Sequence, residues 1–202
     1  LVEGPNDLMV YKEIIRKMVL DKSGDEKFAD TYLNFNNIVV IPHHGKITAL
    51  VLIRLCKYFG LDYYVINDFD FEEDFIEKLN FETEDEYRNS DLYNKDINEI
   101  VAFNLKGEEL SNKTKKAMLT TNWKLIKEAE KDRIHFNIPK LEQVIGYESN
   151  DKDSTGIWNI IQCMTEFGED IFPKELVKFL EIDKVKRVEN EIDLDRVQEN
   201  FA

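Results

Sequence analysis

The chain has 202 residues, 43% of them hydrophobic, with 41 acidic against 27 basic side chains and a net charge of −14. That apolar content suffices for one substantial core, or a core with a small helical appendage, while the acidic balance is the reverse of what a phosphate-tracking surface shows, so nucleic-acid chemistry here needs metal ions or a partner surface. No apolar run approaches the ~18 residues of a membrane span and no signal peptide is legible, so the expected location is cytoplasmic; Cys56 and Cys163 suggest neither a zinc motif nor a disulfide framework and read as two reduced core thiols.

Leu1-Val2 ahead of Glu3-Gly4-Pro5 reads as the end of a buried strand entering a turn. Strands run to about 5 residues, so the rest is expected upstream, in a longer parent protein. From 7 to about 20, apolar residues at Leu8, Tyr11, Ile14, Ile15 and Met18 have the spacing of one buried helical face. Ile38-Val39-Val40-Ile41, ended by Pro42, predicts a second strand buried on both faces. A second helix follows, with Ile47, Leu50, Val51, Ile53, Leu55 and Tyr58 apolar and Gly60 as its stop. Tyr63-Tyr64-Val65-Ile66 supplies the third strand. Strand, helix, strand, helix, strand at this spacing implies right-handed crossovers and a parallel sheet flanked by helices. Residues 71–132 are charge-rich and helical in pieces (72–79 and 113–130), which predicts a helical insertion or lid. A fourth strand is expected over 133–138, then Leu141–Ile145, and helices near 157–167, 174–180 and 194–201 make a helical C-terminal region. The expected division is a catalytic core over 1–145 and a C-terminal catalytic loop with helices over 146–202.

Open parallel sheets place their sites beyond the carboxyl ends of the strands. The first three ends here carry Glu3-Gly4-Pro5-Asn6-Asp7, His43-His44-Gly45-Lys46 and Asn67-Asp68-Phe69-Asp70. Asp7 falls in the first helical turn, where capping alone could explain it; Glu3 has no such explanation. Asp68 and Asp70 at a neighbouring strand end would repel Glu3 unless divalent cations lay between them. Hard carboxylate oxygens suit Mg²⁺ or Mn²⁺, and two such ions can activate water and stabilise the leaving oxygen of a phosphodiester. Gly45-Lys46 lacks the spacing of a phosphate-binding nucleotide loop, so no nucleotide is expected within this chain. Adjacent histidines rarely converge on one metal, which leaves His43 and His44 for phosphate contact or simple exposure. His135 reads as a packing residue, and Trp123 and Trp158 as core or interface anchors.

Leu1-Val2-Glu3-Gly4-Pro5-Asn6-Asp7, the glycine-containing loop after the second strand, and Asp68-Phe69-Asp70 resemble the Toprim domain of topoisomerases, primases and certain nucleases, an α/β Rossmann-like parallel sheet. Ile41-Pro42-His43-His44-Gly45-Lys46 before a helix is most similar to the OLD (overcoming lysogenisation defect) nucleases, including the large subunit of Gabija antiphage systems. The resemblance covers 1–72 well and 133–165 loosely. It implies a metal-dependent DNA endonuclease domain in antiphage defence, with an ABC-type ATPase upstream, a homo-oligomer formed through that ATPase, and a helicase-like partner protein. It further implies that Glu3, Asp7 and Asp68 hold one metal ion, that Asp70 helps hold a second, and that an acidic residue and a lysine after the fourth strand take part. By position these are Glu142 and Lys152, with Glu148, Asp151 and Asp153 as close competitors. Lys152 would neutralise charge developing on the phosphate, although a solvated charged loop explains it as well. Lys46 and His44 are the expected DNA-phosphate contacts.

Two alternatives stand beside the nuclease reading. A non-catalytic Toprim module would bind DNA or protein only, though such modules lean on a zinc site and no cysteine cluster exists here. A phosphatase with an aspartyl nucleophile uses Asp-x-Asp at a strand end, but after the first strand rather than the third.

Overall fold

The computed structural model describes residues 1–102, 108–148 and 153–187. Helix α1 (Pro5–Ser23) starts at Gly4 with proline in its first turn, where no N–H is needed, and stops at Gly24, whose φ of 68° is readily adopted only without a Cβ. Helix α2 (Glu26–Phe35) follows at once, capped by the Asp25 carboxylate accepting from the Phe28 N–H. Helix α3 (Lys46–Phe59) ends at Gly60, as its sequence predicts. Strand β1 (Val65–Asp68), helices α4 (Asp74–Lys78), α5 (Glu84–Asn89), α6 (Asp91–Asn94) and α7 (Asn112–Ala129), strand β2 (Ile134–Asn137), helices α8 (Leu141–Val144), α9 (Ser154–Cys163) and α10 (Lys174–Phe179), and two single-turn 3-10 helices (Asp96–Asn98 and Ile182–Lys184) complete the described elements.

β1 and β2 pair in parallel, Val65 opposite Ile134 and Asp68 opposite Asn137. Two further extended segments continue this sheet. The Leu1 amino group donates to the Tyr64 carbonyl at 2.7 Å and the Ile66 N–H donates to the Leu1 carbonyl at 2.8 Å, the slanted bonding of a parallel pair. On its other side, Val2 makes a parallel bridge to Pro42, with the Val2 N–H donating to Ile41 and the His43 N–H donating to Val2. The spatial order is therefore residues 41–43, residues 1–3, β1, β2. Successive β1 side chains alternate between faces: Tyr64 and Ile66 join the core of α1, α2 and α10, whereas Val65 joins Ala49 and Ile53 of α3. Helices thus cover both faces of a small parallel sheet, which is the expected α/β architecture.

The described part of 71–132 is helical in pieces, as expected, and its Phe71, Phe75, Leu79, Tyr87, Leu92, Leu119 and Trp123 join the same core as Val65 and Phe136. Three expectations need correction. Residues 38–41 are not a strand buried on both faces: the chain meets the sheet edge only at 41–43, and Val39 is 74% exposed and Ile41 42% exposed. The cysteines are free, but neither is a core thiol: Cys56 is half-buried and Cys163 is exposed at the end of α9. His43, far from exposed, is 1% exposed. The helix expected at 194–201 lies outside the described residues. No helix among the described residues is long and apolar enough to cross a membrane.

A candidate metal centre at the strand ends

Because strand order places residues 1–3 between residues 41–43 and β1, the loops that follow all open on one rim. Glu3 leaves the sheet there. Its carboxylate takes the place of the next carbonyl in the ladder, Oε2 accepting the Asp68 backbone N–H at 3.1 Å, while its own carbonyl accepts from His44 at 2.9 Å. Asp7 lies one turn into α1, and its Oδ2 accepts the Gly4 N–H at 3.1 Å. Capping therefore accounts for one oxygen. Asp7 Oδ1 is buried and has no hydrogen-bond partner among the described residues.

Asp68 ends β1 and is 8% exposed. Its Oδ1 accepts the Leu141 N–H at 2.8 Å and the Asn137 side-chain amide at 3.3 Å. Asn137 in turn accepts the Tyr11 hydroxyl at 2.7 Å, so α1, β2 and the start of α8 jointly fix the Asp68 carboxyl. Glu142 sits buried in the first turn of α8, near enough for its charge to act on Asp7. Asp70 has φ 68° and donates its N–H to the Pro139 carbonyl at 2.7 Å. Its Oδ2 meets Lys46 Nζ at 2.5 Å.

Burial, and next the Glu3 charge, push the Asp7 carboxyl up to about 7, against the backbone hydrogen bonds that favour the anion. Burial, and next Asp7 and Glu3, push Asp68 up to about 8, against the Leu141 amide. Both shifts describe acids crowded together away from water without a neutralising cation. Among the described residues no three acid, histidine or cysteine side chains close into a ligand cage. Glu3 and Asp7 are each tied back to a backbone amide, as is Asp68, which spaces the carboxylates around the rim. The donor set still fits a hard divalent ion: the candidate ligands are carboxylate oxygens held by backbone, and Asp7 Oδ1 is a buried carboxyl oxygen with no hydrogen-bond partner among the described residues.

His43 packs under this loop rather than facing it. The Gly45 N–H meets His43 Nδ1 at 3.2 Å, and burial pushes the imidazole down to about 4, so it is a neutral brace. His44 is exposed, with φ 55°. Lys152 and Asp151 lie outside the described residues. Asp153, a competitor for the late acid, instead caps α9 through the Thr155 and Gly156 N–H groups. That helix is docked to the rim, since the Ser154 hydroxyl donates to Asn6 at 2.7 Å. Its far end is held by Lys17, whose ammonium donates to the carbonyls of Ile161, Gln162 and Met164. Tyr11 and Asn137 escaped the sequence reading. The available signal was faint: a polar residue closing an apolar strand, in register with Asp68.

An open cavity of about 1070 Å³ lies at the opposite ends of the strands, lined by Leu1, Ile38, Val40, Tyr63, Tyr64 and Phe179 among others, with none of Glu3, Asp7, Asp68, Asp70 or Glu142 in its lining.

Compared with known proteins, residues 1–70 match the family described as "Overcoming lysogenization defect protein-like, TOPRIM domain". The match ends on Asp70 and so spans Glu3, Asp7, Lys46 and Asp68. No curated protein and no solved structure matches the chain significantly.

Proposed function

We propose, from the match of residues 1–70 to the OLD-like Toprim family, that this chain hydrolyses DNA phosphodiester bonds as the cutting domain of an ATPase-coupled nuclease. The observation that supports this best is the buried, unbonded Asp7 Oδ1 beside Glu3 and Asp68, on one strand-end rim. A divalent ion held there would supply Lewis acidity to activate water and screen the phosphodiester. Around it, Glu3, Asp7 and Asp68 bind the ion, Asn137 and the Leu141 amide orient Asp68, and Glu142 adds a further carboxylate. Lys152 is proposed to meet the phosphate; Ser154, two residues on, is docked beside Asp7 through Asn6. His44, exposed above Glu3, is a proposed DNA contact.

The acidic surface favours capture of DNA outside this chain. An ABC-type ATPase upstream, an oligomer built through it and a helicase-like partner of the Gabija kind form one consistent arrangement. The phosphatase alternative is weaker, because an aspartyl nucleophile must be ionised and open to attack. Asp68 is buried, with both described contacts on one oxygen.

The test is cleavage of supercoiled plasmid by the full-length protein in Mg²⁺ or Mn²⁺. Glu3→Ala and Asp68→Ala should each reduce nicking and linearisation below detection while far-UV circular dichroism stays native. Cleavage at the wild-type rate in both variants would remove the proposal.

A further inference from the structure

The two ends of the carboxylate row are not equivalent. Asp7, at one end, keeps a buried oxygen with no hydrogen-bond partner among the described residues. Asp70, at the other, is already neutralised: Lys46 Nζ lies 2.5 Å from its Oδ2, with the lysine side chain only 11% exposed.

Lys46 is an odd residue for its position. It opens α3, a helix with no acidic residue in its first turn, and a cation at a helix amino terminus meets the positive end of the dipole. Among the described residues its ion-pair partner is Asp70, 24 residues away. Asp70 is set by backbone: its positive φ and its N–H bond to Pro139 aim the carboxylate before any ligand arrives. Gly45, with φ 128° and nothing within 4 Å of a hypothetical Cβ, gives the turn that delivers Lys46. A local cost met by one specific long-range pair at a site rim is the pattern of a functional rather than a folding residue.

We propose that Lys46 is the resident second cation of this site, its ammonium filling at Asp70 the place where a two-ion centre would hold its second metal, so that the chain takes a single divalent ion at the Asp7 end. This rests on the reading that the carboxylates bind a divalent ion at all. Lys46 then tunes the site by charge, as a point cation that needs no coordination shell. It is a positioning residue for Asp70 and competes with metal there.

The experiment counts Mn²⁺ bound by the full-length protein without nucleotide, by titration calorimetry and by the electron paramagnetic resonance of the bound ion. Sites at this rim are taken as those lost in the Asp7→Asn/Asp68→Asn double variant. One ion is expected in the wild type and in Lys46→Arg, and two in Lys46→Met, where the closely spaced pair should broaden the spectrum by spin coupling. Adding Asp70→Asn to Lys46→Met should return the count to one. Two ions in the wild type would overturn the proposal, since Lys46 would then yield to metal. One ion in Lys46→Met, shown folded by circular dichroism, would overturn it too. No ion at the rim in any variant would instead remove the metal-site reading beneath it, a distinct failure.

Discussion

Asp7 and Asp68 sit where burial and like charge oppose ionisation, and this gives the site a pH signature. Their folded-state values of about 7 and about 8 exceed the unfolded carboxylate value of about 4. Between those limits the folded state holds more protons than the unfolded one, so metal-free stability should fall as pH rises. In chelator, the melting temperature should be higher near about pH 5 than near about pH 8, and Mg²⁺ should raise it more at the higher pH, because binding needs the deprotonated acids. A metal-free melting temperature that rises over this interval would contradict the assignment. Glu3, Asp7, Asp68 and Asp70 were legible because each stands at a strand end within a few residues of a helix start. The Lys46–Asp70 pair and the Tyr11–Asn137–Asp68 chain were not, since which side chains meet across 24, 69 or 126 residues is decided by sheet order.

Helix α3 shows how far an apolar pattern can mislead at the element scale. Its apolar residues run almost all round, and the buried ones are Ala49 and Ile53, while Ile47, Val51, Leu55 and Tyr58 face outward. Ile53→Ala should therefore cost about 2–5 kcal/mol in chemical denaturation, whereas Val51→Gln should stay within about 0.5 kcal/mol; the reverse order would mean the helix is turned about its axis. The same surplus of apolar residues made 38–41 read as an interior strand. An edge segment has the same composition as a buried one, and only the partner on its far side distinguishes them. Helix α2 went unread although its signals were present, Asp25 as cap and Ala29 and Tyr32 as buried positions. The boundaries of α7 and β2 were close to expectation because charged or turn-forming residues frame both.

At the scale of the whole molecule, a three-layer scaffold presents a rim of buried acids on a chain of net charge −14. Such a surface repels a polyanion until a cation sits between them, so on the proposed function metal loading and DNA approach would be electrostatically coupled. This is why the sequence reading expected any DNA capture to lie outside this chain. The alternation of strand and helix along the chain implies a parallel sheet covered by helices, which is why the fold class was legible. The most direct test of the central claim is an anomalous difference map from crystals of the full-length protein soaked in Mn²⁺. The expected peak lies about 2.0–2.2 Å from a carboxylate oxygen of Asp7 and within ligand reach of Glu3 and Asp68; a fully soaked crystal with no peak at this rim, or with its peak elsewhere, would contradict it.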